Sequence, residues 1–273
     1  MLKDKRFLFV GGGAMAEALV RGMLQAGLVE AGQLTVCDVA AERLDYLART
    51  YAVATARDSA AAAAAGPDVL FLTVKPQVIG EVLATLAPAV AKSTLVVSVA
   101  AGVKLAALEE MLPELRVVRV MPNTPVAVGA GMSAIALGRH ATERDGETAA
   151  ALFASVGRVV TVKEDAMDAV TGLSGSGPAF AYVMIDALAD AGVRVGLPRQ
   201  TAIALAAQTL YGAAKMVLET GEHPAKLRDM VTSPAGTTIA GVHVLEQKGV
   251  RAALIDAVVA AAERSREMGQ KHK

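Results

Sequence analysis

Cysteine is nearly absent from this sequence. The single one, Cys37, rules out an internal disulfide and fits a reducing compartment. Tryptophan is missing, and aromatic residues make up only 3% of the chain. The core must therefore be built from Ala, Val, Leu and Met, the composition of close-packed helices and buried parallel strands. An excess of charge is missing too: 27 Lys and Arg balance 27 Asp and Glu. Nothing in that balance favours nucleic acid or an anionic membrane as a partner. The apolar run in "MLKDKRFLFVGGG" is too short for a signal sequence, and glycines interrupt it. No uninterrupted stretch reads as long and apolar enough to span a bilayer; "DSAAAAAAGPD" is short and ends at Gly-Pro. These absences predict a cytoplasmic protein without a nucleic-acid or membrane partner.

The usual catalytic constellations are also lacking. His140, His223, His243 and His272 are scattered and show no metal spacing with the one cysteine. No GxSxG and no Ser-His-Asp context occurs, and no metal site is expected.

What is present is a chain of 273 residues that is 53% apolar, enough for one or two domains. Up to about Thr161, β-branched runs alternate with helical stretches. The strand candidates are "RFLFVG", "QLTVCD", "DVLFLTV", "STLVVSV", "RVVRVM" and "GMSAIAL". Strand, helix, strand at this spacing predicts βαβ units and a mostly parallel sheet. After about Glu164 the strands stop. "GPAFAYVMIDALADAGVRVG" and "PRQTAIALAAQTLYGAAKMVLETG" are long helical patterns opening at prolines, and shorter helices follow. Ala and Gly recur there every three to four residues, which suits close helix packing. The predicted domains are 1–162 and 163–273, with a polar tail "GQKHK" that should fray.

"FLFVGGGAMAEALVRGM" reads strand, Gly11-x-Gly13-x-x-Ala16, helix. Gly11 permits a tight turn, Gly13 lets a pyrophosphate approach, and Ala16 keeps helix and strand close. It opens the first βαβ unit, the context a dinucleotide site requires. The next strand ends at Asp38. An acid there holds the ribose hydroxyls of NAD and repels the extra phosphate of NADP; Arg43 could offset that, and Asp38 could equally cap a helix. "TVKPQ" (73–77) and "VAAGVK" (99–104) follow strands at their C-terminal ends, where ligands sit in open α/β sheets. For Lys75 a solvated loop lysine is an equal reading. "VMPNTPVAVGAG" is a loop stiffened around Asn123 and Thr124, and alone reads as a plain turn. "LSGSGPAFAY" joins the halves as an N-cap and hinge, a site-facing loop, or both. Glu164, Asp165 and Asp168 read by default as a charged first turn. "DMVTSPAGTTIAG" breaks a helical region with Pro234 and Gly236 and carries four hydroxyls: Thr232, Ser233, Thr237 and Thr238. A new helix starting there offers unpaired N–H groups to an anion.

Together these motifs resemble the pyrroline-5-carboxylate reductases over nearly the whole chain. "GGGAMA" is generic to dinucleotide folds; "VKPQ", "SVAAGV" and "MPNTP" are more particular. "AVTGLSGSGPAF" and "LRDMVTSPAGTTIAGVHVLEQKG" are strongly specific. The resemblance implies an α/β N-terminal Rossmann domain followed by an all-α C-terminal dimerisation domain. It implies an intertwined homodimer, often assembled further to a higher homo-oligomer. The active site is expected between one subunit's cofactor and helical-domain residues contributed through the dimer. It places Gly11, Gly13, Ala14, Met15 and Ala16 around the cofactor and Val74, Lys75, Ala100 and Ala101 at its nicotinamide-ribose end. Ser233, Gly236, Thr237 and Thr238 would bind the carboxylate and ring nitrogen of the substrate, pyrroline-5-carboxylate, and Glu164 would lie near its ring. NADP(H) is favoured by the resemblance, and NAD(H) stays open because of Asp38. Two positions depart from the family. Ala235 stands where a second Gly is frequent, and Met230 stands where some members have a cofactor-contacting Asn, so that contact is not carried over.

The implied reaction needs little covalent work from the protein. Two rings must be aligned and a carboxylate neutralised, and alignment supplies several kcal/mol, ~7 or more. Thr238 is the candidate to deliver or hold the proton of the ring nitrogen; a bound water is the alternative donor. Competing readings are a related imine reductase or hydroxyacid dehydrogenase, and a non-catalytic nucleotide sensor. The dehydrogenases of this plan use a Lys on the first long C-terminal helix, and "GPAFAYVMIDALADAGVRVG" has none. A sensor has no use for "TSPAGTT" as a second ligand site.

Overall fold

The computed structural model describes residue 2 and residues 4–270. The last three positions of the "GQKHK" tail, His272 among them, lie outside the described residues. Contacts divide the chain into two compact units. One is the chain up to Gly175 with the segment from Ala261 on, and the other is Ser176–Ala260.

The first unit is built on one eight-stranded sheet. Its strands are β1 (Phe7–Val10), β2 (Leu34–Cys37), β3 (Ala54–Ala56), β4 (Val69–Leu72), β5 (Leu95–Ser98), β6 (Arg116–Met121), β7 (Gly131–Leu137) and β8 (Gly157–Thr161). Their spatial order is β3-β2-β1-β4-β5-β6-β7-β8. Every neighbouring pair is parallel except β6 with β7. The accompanying helices are α1 (Ala14–Gln25), α2 (Ala41–Tyr51), α3 (Ser59–Ala64), α4 (Ile79–Leu86), α5 (Leu105–Met111), α6 (Glu143–Ala154) and α7 (Met167–Val170). The strand order reverses between β1 and β4, the switch point where a Rossmann sheet opens a crevice.

Period two explains how so few aromatics hold this unit. Phe7 and Phe9 of β1 face one apolar cluster, and Leu8 and Val10 face the other. Both faces are covered, so β1 reads as an unbroken apolar run. Phe9 stacks on Phe71 with ring centroids 4.4 Å apart, and Phe153 lies tilted against Phe71. Each such fully buried side chain contributes about 1.5–3 kcal/mol.

Two strands lie beyond the six read from sequence. β3 is only Ala-Thr-Ala and largely exposed, so it carries no apolar signal. β8 opens on Gly157, paired with Gly131 of β7. A side chain at Gly157 would collide with the Gly131 backbone, which is why glycine starts a strand there. Beyond β8, Thr171–Gly175 continue α7 as a π-helical turn; the expected loop at "LSGSG" is thus wound.

The second unit is helical. It holds α8 (Gly177–Arg194), α9 (Arg199–Thr220), α10 (Pro224–Met230), α11 (Thr237–Gln247) and the start of α12 (Val250–Gln270). Pro178 lies in the first turn of α8, while Pro198 is the N-cap of α9 rather than part of its first turn. Small residues let α8 and α9 approach: a side chain at Gly192 would stand 2.8 Å from Ala202 Cβ. Gly221 in the left-handed conformation closes α9. α9, 22 residues long, passes for a membrane span by length and composition alone. Gln208 and Lys215 interrupt its apolar run.

Candidate functional site

The glycine turn after β1 is shaped by its neighbours. Gly11 has φ +101°, and a side chain there would come within 2.8 Å of the Thr73 backbone. Its N–H donates to the Cys37 carbonyl at 2.8 Å. Thr73 Oγ1 donates to the carbonyls of Gly11 (2.7 Å) and Val10 (3.0 Å), which staples the loop after β4 to the turn. Gly13 caps α1 with no side chain, and the space a Cβ would occupy is open. The first helical bond runs from Glu17 N to Gly13 O, so α1 leaves the N–H groups of Ala14, Met15 and Ala16 without an intrahelical partner. Open space over an uncapped helix N-terminus fits a pyrophosphate. Ala16 is fully buried against the sheet, as close helix–strand packing requires.

Asp38 and Arg43 fix the same turn from the next βα unit. Asp38 Oδ2 accepts from Gly12 N at 2.6 Å and Oδ1 accepts from Ala40 N at 2.9 Å. Asp38 does not cap α2, whose N-cap is Ala40. Arg43 Nε donates to Gly12 O, and its guanidinium pairs with Glu17. Tyr46 and Tyr51 hydroxyls donate to the other Glu17 oxygen at 3.0 and 2.9 Å. Burial pushes the Glu17 carboxyl up, but hydrogen bonds from Arg43, Tyr51 and Tyr46 outweigh it and hold it below its ordinary range. Burial raises the neighbouring Cys37 thiol to about 11, with Asp38 and Asp58 adding to the rise.

Other candidates line the C-terminal ends of the strands. Lys75 is exposed after β4 and forms no ion pair among the described residues; Val74 packs beside the core. Ala100 is buried and Ala101 half-buried after β5. Asn123 is a brace. Its Nδ2 donates to Ser174 O at 3.0 Å, and its Oδ1 accepts from Met132 N at 2.8 Å. Glu164 is more than a charged first turn. Its Oε1 accepts from Leu105 N, the first residue of α5, at 2.9 Å and from Arg119 Nη1 at 2.7 Å. Its Oε2 is buried with no partner among the described residues. Asp168 accepts from Ser265 Oγ at 2.6 Å and so ties the end of α12 to α7.

The second unit carries the "TSPAGTT" stretch. Gly236 N donates to Ser233 O at 3.1 Å and closes a turn with Pro234 second and Ala235, φ +57°, third. That is the pattern of a type II turn, which prefers glycine in the third place. Gly236 then caps α11 with no side chain, leaving the N–H groups of Thr237, Thr238 and Ile239 without an intrahelical partner. Thr232 Oγ1 is used up by Arg228 O at 2.7 Å. The hydroxyls of Ser233, Thr237 and Thr238 have no hydrogen-bond partner among the described residues; Ser233 and Thr237 are exposed and Thr238 is half-buried.

The structure thus gathers Gly11, Gly13, Asp38 and Val74 around one turn, and Ser233, Gly236, Thr237 and Thr238 around one helix start. Sequence reading missed Glu17, Thr73 and Arg119. Arg119 did leave a signal: an arginine inside the apolar run "RVVRVM" must find a counter-charge if that run is a buried strand.

The stretches that carry these residues match known families. A family model described as pyrroline-5-carboxylate reductase dimerisation matches residues 164–268. A second, described as NADP oxidoreductase coenzyme F420-dependent, matches residues 6–102. A pyrroline-5-carboxylate reductase of Methanosarcina acetivorans is 47% identical over 271 residues, 99% of this chain and 100% of that protein. One from Synechocystis is 49% identical over 96% of this chain and 97% of its own length. Among solved structures, a pyrroline-5-carboxylate reductase from Coxiella burnetii superposes with a TM-score of 0.91 at 35% identity, covering 97% of this chain and 98% of that one. The Plasmodium falciparum enzyme with NADP bound gives a TM-score of 0.87 at 31% identity, covering 98% and 100%. With identity this high over the full length of both partners, the chain belongs to the pyrroline-5-carboxylate reductase family.

Proposed function

We propose that this protein reduces 1-pyrroline-5-carboxylate to L-proline with a nicotinamide cofactor, the last step of proline synthesis. The observation that carries the reading is the start of α11: three unpaired N–H groups and three unpaired hydroxyls in one short segment. A carboxylate binds such a helix start well, because the N–H groups and the helix dipole both favour negative charge. Backbone N–H groups with Ser233 and Thr237 neutralise the substrate carboxylate, and Thr238 holds the proton on the ring nitrogen. Gly11 and Gly13, with the N–H groups of Ala14, Met15 and Ala16, hold the pyrophosphate. Val74, Lys75, Ala100 and Ala101 flank the nicotinamide-ribose end, and Glu164 keeps its place near the substrate ring through Arg119 and Leu105 N. The bound cofactor would supply hydride to the carbon of the imine already protonated on its ring nitrogen, which leaves the neutral ring amine. Alignment carries the rate, which is why no histidine or cysteine is needed.

In this reading residues 1–162 form the dinucleotide domain and 163–273 the helical dimerisation and substrate domain, in a cytoplasmic homodimer. Large apolar side chains exposed on the second unit, including Tyr182, Leu205, Tyr211 and Leu218, support a covered face. The choice between NADP(H), favoured by the family resemblance, and NAD(H) turns on the ribose end of the site at Asp38. The test is cofactor oxidation with pyrroline-5-carboxylate, run with NADPH and with NADH. Turnover with at least one is expected, and turnover with neither overturns the enzyme reading. A well-folded, active monomer in sedimentation overturns the dimer.

A further inference from the structure

Resting on the proposed nicotinamide site and narrowing it, we infer that this chain selects NADH over NADPH. The selector is Asp38, with Glu17 holding Arg43 away from the ribose. The adenosine ribose of a dinucleotide bound at such a glycine turn lies at the end of β2, where an acid accepts from the 2′-hydroxyl. Asp38 stands there, clamped by Gly12 N and Ala40 N. Each carboxylate oxygen has a second lone pair, so both clamps leave room for a ribose hydroxyl. A 2′-phosphate in the same place would meet a fixed negative charge.

Two further features keep that charge uncompensated. Arg43, the cation placed to offset it, is turned under the glycine turn: it donates to Gly12 O and pairs with Glu17. Tyr46 and Tyr51 hold Glu17 in position for that pairing, and Arg43 lies over the Tyr46 ring, 5.1 Å from its centroid. Arg57, exposed just after β3, forms no ion pair among the described residues, and its chain neighbour Asp58 is turned to the start of α3, where it accepts from Ala60 N and Ala61 N. The second feature is the lack of donors. Val39 is 94% exposed, and Ala40 and Ala41 follow it, so the segment after Asp38 offers no side-chain hydroxyl or ammonium to a phosphate. Discrimination of this kind works by repelling the wrong ligand as much as by holding the right one.

The full-length protein should be titrated calorimetrically with NADH and with NADPH, without substrate. NADH should bind about tenfold tighter or more, a difference of ~1.4 kcal/mol. Asp38→Asn should narrow the gap by raising affinity for NADPH. Val39→Arg, at an exposed position that folding does not depend on, should also raise affinity for NADPH and serves if Asp38→Asn does not fold. Equal or tighter binding of NADPH by the unaltered protein overturns the selectivity while leaving the reductase reading intact. Binding of neither dinucleotide overturns the nicotinamide site itself, and the selectivity with it.

Discussion

A side chain at Gly236 would lie well inside 3.0 Å of the Ser233 hydroxyl oxygen. The backbone at Gly236 has φ −77°, so an alanine there is strained only by Ser233, whose carbonyl oxygen also stands 3.2 Å away. Gly236→Ala should therefore fold and displace the Ser233 hydroxyl. Its KM for pyrroline-5-carboxylate should rise about tenfold, the loss of one hydrogen bond to a charged group. Steady-state kinetics with a melting curve checks this, and an unchanged KM removes Ser233 from the carboxylate site.

Ala235 sits at φ +57°, a conformation that costs a residue with a Cβ about 1–2 kcal/mol. Glycine escapes that cost but loses more freedom on folding, by roughly 0.5–1 kcal/mol. Ala235→Gly should be stabilising by about 0.5–1 kcal/mol in urea unfolding. Equal or lower stability would show that the turn is relaxed with alanine.

Much of this was legible in the sequence, for physical reasons. β1, β4 and β5 are covered on both faces and so spell unbroken apolar runs. Gly11 announces itself because no other residue permits φ +101° against the Thr73 backbone, and Gly13 shows by its place two residues on. The break at Ser233-Pro234 shows because proline and glycine end helices. β3 was hidden because it is only three residues long and two of them are exposed, so it carries no apolar run. The Thr73 staple and the Glu17–Arg43–Tyr51 cluster were hidden because their partners lie 26 to 63 positions apart in the chain. Side chains that meet only through the fold leave no local pattern.

Thr238 is half-buried at the second position of α11, and its hydroxyl has no partner among the described residues. Thr238→Ala should lower kcat about a hundredfold, the usual scale for removing one positioned hydrogen-bonding group. Thr238→Ser keeps the hydroxyl and should recover most of the rate. Loss of activity in both variants would point to the methyl group and packing instead of the proton.

Glu17 gives a pH signature. Its folded carboxyl is held below its ordinary value of 4.5, since hydrogen bonds from Arg43, Tyr51 and Tyr46 outweigh burial. The stabilisation is therefore full above about pH 4.5 and is lost as pH falls through the depressed folded value. Glu17→Gln should be less stable than the unaltered protein at pH 7, by about 1 kcal/mol. The difference should shrink in strongly acid solution. A gap that stays constant with pH would mean that Glu17 acts by shape alone.

Glu164 has two possible duties, and stability separates them. Arg119 is only 3% exposed and its Nη1 donates to Glu164, whose side chain is 31% exposed. Removing the acid leaves Arg119 buried without its counter-charge, which costs roughly 3 kcal/mol at a fully buried pair and less here. Glu164→Gln should thus lower stability, and Arg119→Met with Glu164→Gln should cost less than the two single changes added, because the stranded charge is gone. If the carboxylate also acts on the substrate, kcat stays low in the double variant although stability returns. If its duty is to hold α5 and Arg119 in place, kcat recovers with stability. Measuring both quantities on the same three variants decides between them, because a lost counter-charge is relieved by the second substitution and a lost substrate contact is not.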